Sequence, residues 1–446
     1  MISELFRNVQ RIHEIFAINA KIRGFAKTIL ILRFCPTKIN RKTEKISDFV
    51  QDISECTKEV PYLSSYTVTF EKREKKPTTF VYIFGGLLVL ISCLLQTLDK
   101  MSRLFCNYIC RRFASRLTYS ENGPPPEVVK MEHFEDPIEA NDDKVIVRML
   151  AAPVHPADVN VIQGVYAIKP PLPAIGGGEG VGEVLKVGPN VKNLKSGDWV
   201  FPGGNMSGTW TTHFVDNEST FVKIRKDISV LSAATLRTNP GTAYRMLKDF
   251  VPLKSGDYVI QNGANSAVGL AVIEIAKHFG FKTINIVRDR PNIDELKNEL
   301  KDLGADIVWT DEEIRKTSDF KEKRLPKPLL ALNCVGGQSS TNILQVLGHK
   351  GVHVTYGGMS MKPVTVPTSS LIFKDVSVRG FWMSQWIVDN FENPERQKMY
   401  DELGDMAAKG HLNPPKNIFV PITDYEQVME NCMKGFKAGK YIFDLS

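Results

Sequence analysis

The chain has 446 residues, room for two or three domains, and its hydrophobic, charged and aromatic fractions are those of a globular protein. Its net charge of +7 is unevenly spread: residues 1–119 hold 20 Lys and Arg against 10 Asp and Glu, whereas residues 120–446 hold 37 against 40. The body therefore lacks the positive field of a nucleic-acid binder. With only Cys334 and Cys432 beyond residue 110 and no CxxC pair, it also lacks a disulfide framework or a cysteine-rich zinc site.

Phe80–Leu98 is an uncharged, mostly apolar run long enough to span a bilayer, with Lys72, Arg73, Lys75 and Lys76 before it and Lys100 and Arg103 after it. Residues 101–120 then carry Arg103, Arg111, Arg112 and Arg116 and no acid, among apolar and hydroxyl side chains, the composition of a mitochondrial transit peptide. The two signals conflict. Because the transit-like stretch begins at Met101, residues 1–100 are read as an extension of uncertain status and the protein as mitochondrial. The alternative is a membrane anchor at 80–98, which requires that run to be retained.

From Pro124 to Val251 the chain is β-rich and punctuated by Gly and Pro. Lys144–Met149 reads as a strand and Ala151–Tyr166 as a loop. Ile175–Gly188 alternates and is glycine-broken, like a strand of a small barrel, and Lys195–Val200 turns into another strand. Residues 232–250 read as helix, with Pro240 near the start.

A βαβ unit follows. Tyr258–Ile260 is a short apolar strand, Asn262–Ser266 a turn of small residues, and Val268, Ala271, Val272, Ile275 and Ala276 recur at helical spacing before Gly280; Thr283–Val287 is the second strand. A helix N-terminus with free N–H groups suits a pyrophosphate, although GxGxxG itself is absent. Past the second strand stand Arg288, Asp289 and Arg290. An acid alone would favour a bare ribose, but two guanidinium forks suit a 2′-phosphate, so NADPH is expected; the alternative is a solvated arginine turn. Later strands are expected at Asp306–Trp309, Leu329–Asn333, Val352–Tyr356 and Val376–Phe381. A helix around Arg396–Lys409 and a return to extended chain at Tyr441–Leu445 complete the chain.

A broken barrel, a doubly wound domain and a C-terminal return together resemble the medium-chain dehydrogenase/reductase superfamily. Within it, Val161-Ile-Gln-Gly-Val-Tyr166, Asn239-Pro-Gly-Thr-Ala-Tyr-Arg-Met-Leu247, Ile260-Gln-Asn262, Asn265-Ser-Ala-Val-Gly269, Ile286-Val-Arg-Asp-Arg-Pro291, Leu332-Asn-Cys-Val-Gly-Gly337, Thr355-Tyr-Gly-Gly-Met359 and Arg379-Gly-Phe-Trp-Met-Ser-Gln-Trp386 resemble the mitochondrial 2-enoyl thioester reductase family. The likeness covers residues 120–446 and implies an α/β fold. A GroES-like β-barrel catalytic domain would span 121–250 and 386–446, and a Rossmann doubly wound parallel-sheet domain 251–385. It implies reduction of trans-2-enoyl thioesters, on CoA or acyl carrier protein, in mitochondrial (matrix) fatty-acid synthesis, by a homodimer.

The resemblance also implies roles. Tyr166 is the family's proton donor. Asn239 would lie on the nicotinamide side, and Asn265, Ser266, Ala267 and Val268 would start the phosphate-binding helix. Arg288, Asp289 and Arg290 would hold the 2′-phosphate end, and Tyr356, Gly357, Gly358 and Met359 would cover the strand end beyond. Phe381, Trp382, Met383 and Ser384 would line the nicotinamide crevice, with Lys440 reaching back from the C-terminus. No metal is expected: Gly178 stands where zinc members of the superfamily carry a histidine, and His155 near Asp158 reads as a loop histidine with a structural hydrogen bond. Two positions depart from the family pattern. Arg237 replaces a small residue and would narrow the acyl channel or pair with a carrier phosphate; Gly178 would leave extra room. The rival readings are a metal-free NADPH reductase of quinones or enones, and a membrane-held NADPH-binding adaptor without turnover.

Overall fold

The computed structural model describes residues 113–137, 139–434 and 439–446. The described residues all lie in one unit of the chain, Arg112–Ser446. The apolar run at 80–98 and residues 101–112 are thus outside them. Among the described residues no helix is long and apolar enough to cross a membrane.

Eight strands come first: β1 (Phe113–Tyr119), β2 (Lys130–Glu135), β3 (Lys144–Pro153), β4 (Ala174–Ile175), β5 (Val181–Val187), β6 (Trp199–Pro202), β7 (His213–Asn217) and β8 (Phe221–Ile224). β1 corrects the end of the transit-like assignment of 101–120, from residue 113 on. It pairs antiparallel with β2 and β4 and buries Leu117 and Tyr119, so the folded body starts by Phe113 and not at residue 121. Arg116, counted with the basic leader, forks onto Glu132 of β2 at 2.9 and 3.0 Å. Its partner is distant in sequence, which is why composition alone misassigned it.

β3 is the spine of the larger barrel sheet. Its ten residues are buried nearly end to end, because β5 and β7 pair with it on opposite edges and β16 continues along it. The stretch read as a loop after Met149 is instead the end of β3 and a short helix, α1 (Pro156–Ile162). Pro156 at its first position supplies the helical φ, and the Asp158 carboxylate accepts from His155 N–H at 2.7 Å. The helix expected over 232–250 is two: a short one at Val230–Ala234 and α2 (Asn239–Asp249). The break falls just ahead of Pro240, whose ring can only enter a helix at its first turn.

β9 (Tyr258–Asn262), α3 (Ala267–Phe279) and β10 (Lys282–Val287) form the expected βαβ unit, with Gly280 in the left-handed region (φ 76°) ending α3. β11 (Ile307–Thr310), β12 (Leu330–Asn333), β13 (Val352–Thr355), the helix α4 (Thr368–Lys374) and β14 (Ser377–Gly380) complete a six-stranded, wholly parallel sheet of order β11-β10-β9-β12-β13-β14. The order reverses between β9 and β12, which opens a crevice at their carboxyl ends. α5 (Met383–Asp389) and α6 (Pro394–Ala408) follow. β15 (Asn417–Pro421) and β16 (Lys440–Asp444) then rejoin the barrel sheet, β16 pairing antiparallel with β3. One apolar cluster runs from Ala151 and Phe201 of the barrel through Ala243 and Met246 of α2 to Val272 of α3 and Met399 of α6, so α2 and α6 lock the two halves together.

Candidate functional site

The crevice at the switch point is sewn by side chains. Asn262, fully buried, accepts from Cys334 N–H (2.7 Å) and Val335 N–H (3.2 Å) and donates to Asn333 Oδ1 (2.9 Å) and Ser339 Oγ (3.3 Å). Asn333 Oδ1 also accepts from Gly336 N–H. Two asparagines thereby fix the turns after β9 and β12 in one geometry. The sequence reading used both only as matching letters; polar residues at the end of a buried strand are the signal that could have found them.

The turn leading into α3 is built for close approach. Ser266 caps the helix, its hydroxyl accepting from Gly269 N–H at 3.1 Å. A Cβ on Gly269 would stand 2.5 Å from Ala264 O, so only glycine lets the first helical turn lie on the loop. Asn265, Ala267 and Val268 follow this backbone to the crevice edge. Gly357 packs its backbone against Cys334, and a Cβ on Gly358 would meet nothing within 4 Å, so the Tyr356–Met359 loop leaves an open shelf opposite the helix start. Tyr356 N–H ties that loop to Asn333 O, and its buried hydroxyl lies against Cys334 and Ser266, where burial pushes it well above the usual phenol range.

Arg288, Asp289 and Arg290 are exposed just past β10. Asp289 accepts from Arg290 N–H (2.9 Å) and Arg290 Nε donates to Arg288 O (3.4 Å), while among the described residues neither guanidinium is paired with a carboxylate. Two uncompensated forks at this strand end, a capped helix N-terminus and an open glycine shelf fit a dinucleotide carrying a 2′-phosphate. Asn239, the first residue of α2, is buried.

Tyr166 approaches from the barrel side. Gly164, in the left-handed region (φ 75°), turns the chain out of α1, and Asn122 Nδ2 caps that end on Val161 O and Ile162 O. Val165 and Tyr166 N–H both return to Asn160 O. The Tyr166 hydroxyl accepts from Trp382 Nε1 at 2.9 Å, and the rings meet edge to face at 6.1 Å. Burial raises the Tyr166 phenol, the Trp382 hydrogen bond partly opposes this, and the Asp158 charge adds to it. Phe381 continues β14 through a bond to Thr355 O and meets Phe250; Ser384 O accepts from Asn205 Nδ2. Met383 turns into the core, its methyl reaching the place a Cβ on Gly241 would occupy.

Met383 thus leaves the crevice lining expected of it, and three further residues sit differently from expectation. Arg237 does not reach outward: it is buried, with Nη1 donating to Pro202 O (2.8 Å) and Gly204 O (2.6 Å) and Nη2 to Gly178 O (2.7 Å). Gly178 leaves no extra room, because Met206 Sδ and Asp158 Oδ1 close around it. Lys440 is buried with its ammonium on His155 Nδ1 at 3.0 Å. His155 Nε2 in turn meets Glu179 Oε2 at 2.6 Å. Burial alone would raise Glu179, but the hydrogen bond from His155 and the charges of Arg237 and Lys440 bring it below its ordinary value. Burial raises Asp158 and lowers Lys440. Among the described residues no group of three or more His, Cys, Asp or Glu could hold a metal ion.

Residues 141–226 match the family model of the alcohol dehydrogenase GroES-like domain and residues 267–402 that of the zinc-binding dehydrogenases. The chain is 47% identical to the mitochondrial enoyl-acyl-carrier-protein reductase of Rattus norvegicus over 363 residues, 80% of this chain and 96% of that one. Among solved structures, the mitochondrial 2-enoyl thioester reductase Etr1p/Etr2p heterodimer from Candida tropicalis superposes with a TM-score of 0.70 at 35% identity, covering 74% of this chain and 99% of that one. The complex of Etr1p with NADP and crotonyl-CoA superposes with a TM-score of 0.69 at 34% identity, with the same coverage.

Proposed function

Because the chain belongs to the family of mitochondrial enoyl-acyl-carrier-protein reductases, we propose that it reduces trans-2-enoyl thioesters, on CoA or acyl carrier protein, to saturated acyl thioesters at the expense of NADPH, in mitochondrial fatty-acid synthesis. The observation that carries the site assignment is the meeting of Tyr166, from the barrel, with Trp382, from the end of the parallel sheet, at the crevice mouth.

NADPH, when bound, supplies the hydride that adds to the β-carbon. The chain's own residues then have two tasks. Arg288 and Arg290 grip the 2′-phosphate, and the Ser266-capped turn with Asn265, Ala267 and Val268 offers backbone N–H groups to the pyrophosphate. Asn239 and the Tyr356–Met359 shelf flank the nicotinamide half, with Phe381, Trp382 and Ser384 on its outer side. Tyr166 hands its proton to the α-carbon. Its oxygen already accepts from Trp382, so the phenol's own hydrogen is free to be given. A phenol keeps that hydrogen at neutral pH, burial favours the protonated form further, and the indole N–H supports the phenolate once the proton leaves.

The protein is mitochondrial, and the matrix is the compartment proposed. A homodimer is supported by the sheet edge: among the described residues β14 pairs only with β13, all four of its residues are exposed, and Leu371, Ile372 and Phe373 of α4 and Val378 of β14 are exposed as well. The function is tested by following NADPH oxidation at 340 nm with crotonyl-CoA, longer 2-enoyl-CoAs and a quinone. Turnover of the enoyl thioesters well above that of the quinone is expected. Quinone turnover alone, or NADPH binding without oxidation by any enoyl thioester, would overturn it.

A further inference from the structure

On the barrel side, four polar groups form one continuous buried chain. Lys440 Nζ meets His155 Nδ1 at 3.0 Å, His155 Nε2 meets Glu179 Oε2 at 2.6 Å, and Glu179 Oε1 accepts from Thr238 N–H at 2.7 Å. Lys440, His155 and Glu179 are each no more than 9% exposed. Such a run of ionisable groups carries a heavy desolvation cost unless every member is paired, so its presence calls for a role.

The chain's ends say what that role is. His155 is the residue that caps α1, whose far end turns through Gly164 into Tyr166. Thr238 is the residue immediately before Asn239 and α2. Arg237, one further back, is nailed to the barrel by its three bonds to the carbonyls of Gly178, Pro202 and Gly204. The two positions that depart from the family pattern, Arg237 and Gly178, are therefore in direct contact. We propose that Lys440–His155–Glu179 is a positioning device, which registers the start of the Asn239 helix against the α1 loop and so sets the nicotinamide ring against the Tyr166 hydroxyl. This rests on the roles given above to Asn239 and Tyr166.

The chain has a direction. The Lys440 ammonium can only donate, so His155 Nδ1 accepts, Nε2 carries the hydrogen, and Glu179 accepts from both His155 and Thr238. Glu179→Gln breaks that direction. With its carbonyl kept on Thr238 N–H, the new amide presents N–H to His155, whose hydrogen moves to Nδ1 and confronts the Lys440 donors. Lys440→Gln placed beside it offers a carbonyl to Nδ1 and restores an unbroken chain of reversed sense.

The test compares wild type, Glu179→Gln and Glu179→Gln/Lys440→Gln, using crotonyl-CoA, NADPH deuterated at the transferred position, and the nicotinamide fluorescence of bound NADPH. In Glu179→Gln, kcat is expected to fall about tenfold or more and the primary isotope effect to rise. The emission of bound NADPH should drop while its affinity stays within about threefold, because the phosphate grip is untouched. The double variant should recover at least about fivefold in kcat. If Glu179→Gln leaves kcat, isotope effect and emission within about twofold of wild type, or if the double variant is worse than the single, the proposal is wrong. Should Glu179→Gln not fold, Lys440→Met takes its place, with the same split expected and the same null result fatal. A wild type that does not oxidise NADPH with crotonyl-CoA removes the functional reading, and the emission of bound NADPH then decides the positioning role by itself.

Discussion

Removing one buried amide, that of Asn262, tests the architecture of the cofactor crevice. Asn262→Ala leaves the N–H groups of Cys334 and Val335 without their acceptor and takes a donor from Asn333 and Ser339. Asn333 Oδ1 keeps Gly336 N–H, so its loss is slight. The two backbone donors dominate. Each buried donor left unpaired costs about 1–3 kcal/mol, and Val335, with a longer bond, belongs at the low end, which makes about 3 kcal/mol for the substitution. Chemical denaturation followed by circular dichroism measures this directly. The loosened turn after β12 also carries the backbone against which Gly357 packs. NADPH affinity should therefore fall roughly tenfold alongside stability, at about 1.4 kcal/mol per decade. A stability loss under about 1 kcal/mol with unchanged NADPH affinity would mean that the asparagine bridge does not hold the crevice, and the reasoning fails.

Other outcomes follow from the same geometry. Arg288→Ala/Arg290→Ala should raise the KM for NADPH about 10- to 100-fold and leave that for NADH within about threefold, because only the 2′-phosphate loses partners; steady-state kinetics with both coenzymes checks this. His353 is fully buried, its Nε2 on Ser340 Oγ, and burial lowers it to about 4. Its folded value lies below its unfolded value, so the unfolded chain binds the proton first: stability is intact above about pH 6.5 and declines as pH falls towards 4, by roughly 3 kcal/mol in all. Denaturation midpoints at pH 7 and 4.5 should differ less in His353→Gln than in wild type. Phe373→Glu places a charge on an exposed face next to β14 in the chain and should shift the proposed homodimer to monomer in light scattering without loss of fold; an unchanged dimer would exclude that face.

The parallel sheet was legible because its central strands are buried on both faces and its helices keep their period, so β9, α3 and β10 announce themselves in fifteen apolar positions without any long-range knowledge. The barrel was harder. α1 is seven residues long and opens with proline, too short for a periodic signal, and what marks it is the Asp158 reach-back to His155. β1 was hidden because Arg116 finds its acid sixteen residues away. The same limit governs the site. Arg288 and Arg290 are readable because their setting at a strand end is local. Arg237 and Lys440 are not, since whether a cation faces solvent, a phosphate or buried carbonyls depends on what the fold brings to it: Gly178, 59 residues earlier, for Arg237 and His155, 285 residues earlier, for Lys440. His155 was read as a structural histidine, and its bonds to Glu179 and Lys440 agree, though neither partner could be named in advance.

The central claim concerns a single hydroxyl. Tyr166→Phe keeps the ring packed edge to face on Trp382 and removes only the oxygen. Turnover of crotonyl-CoA should fall about 100-fold or more, the scale of a lost general acid, while NADPH affinity and thermal stability stay near wild type. Turnover within threefold of wild type in that variant would contradict the account.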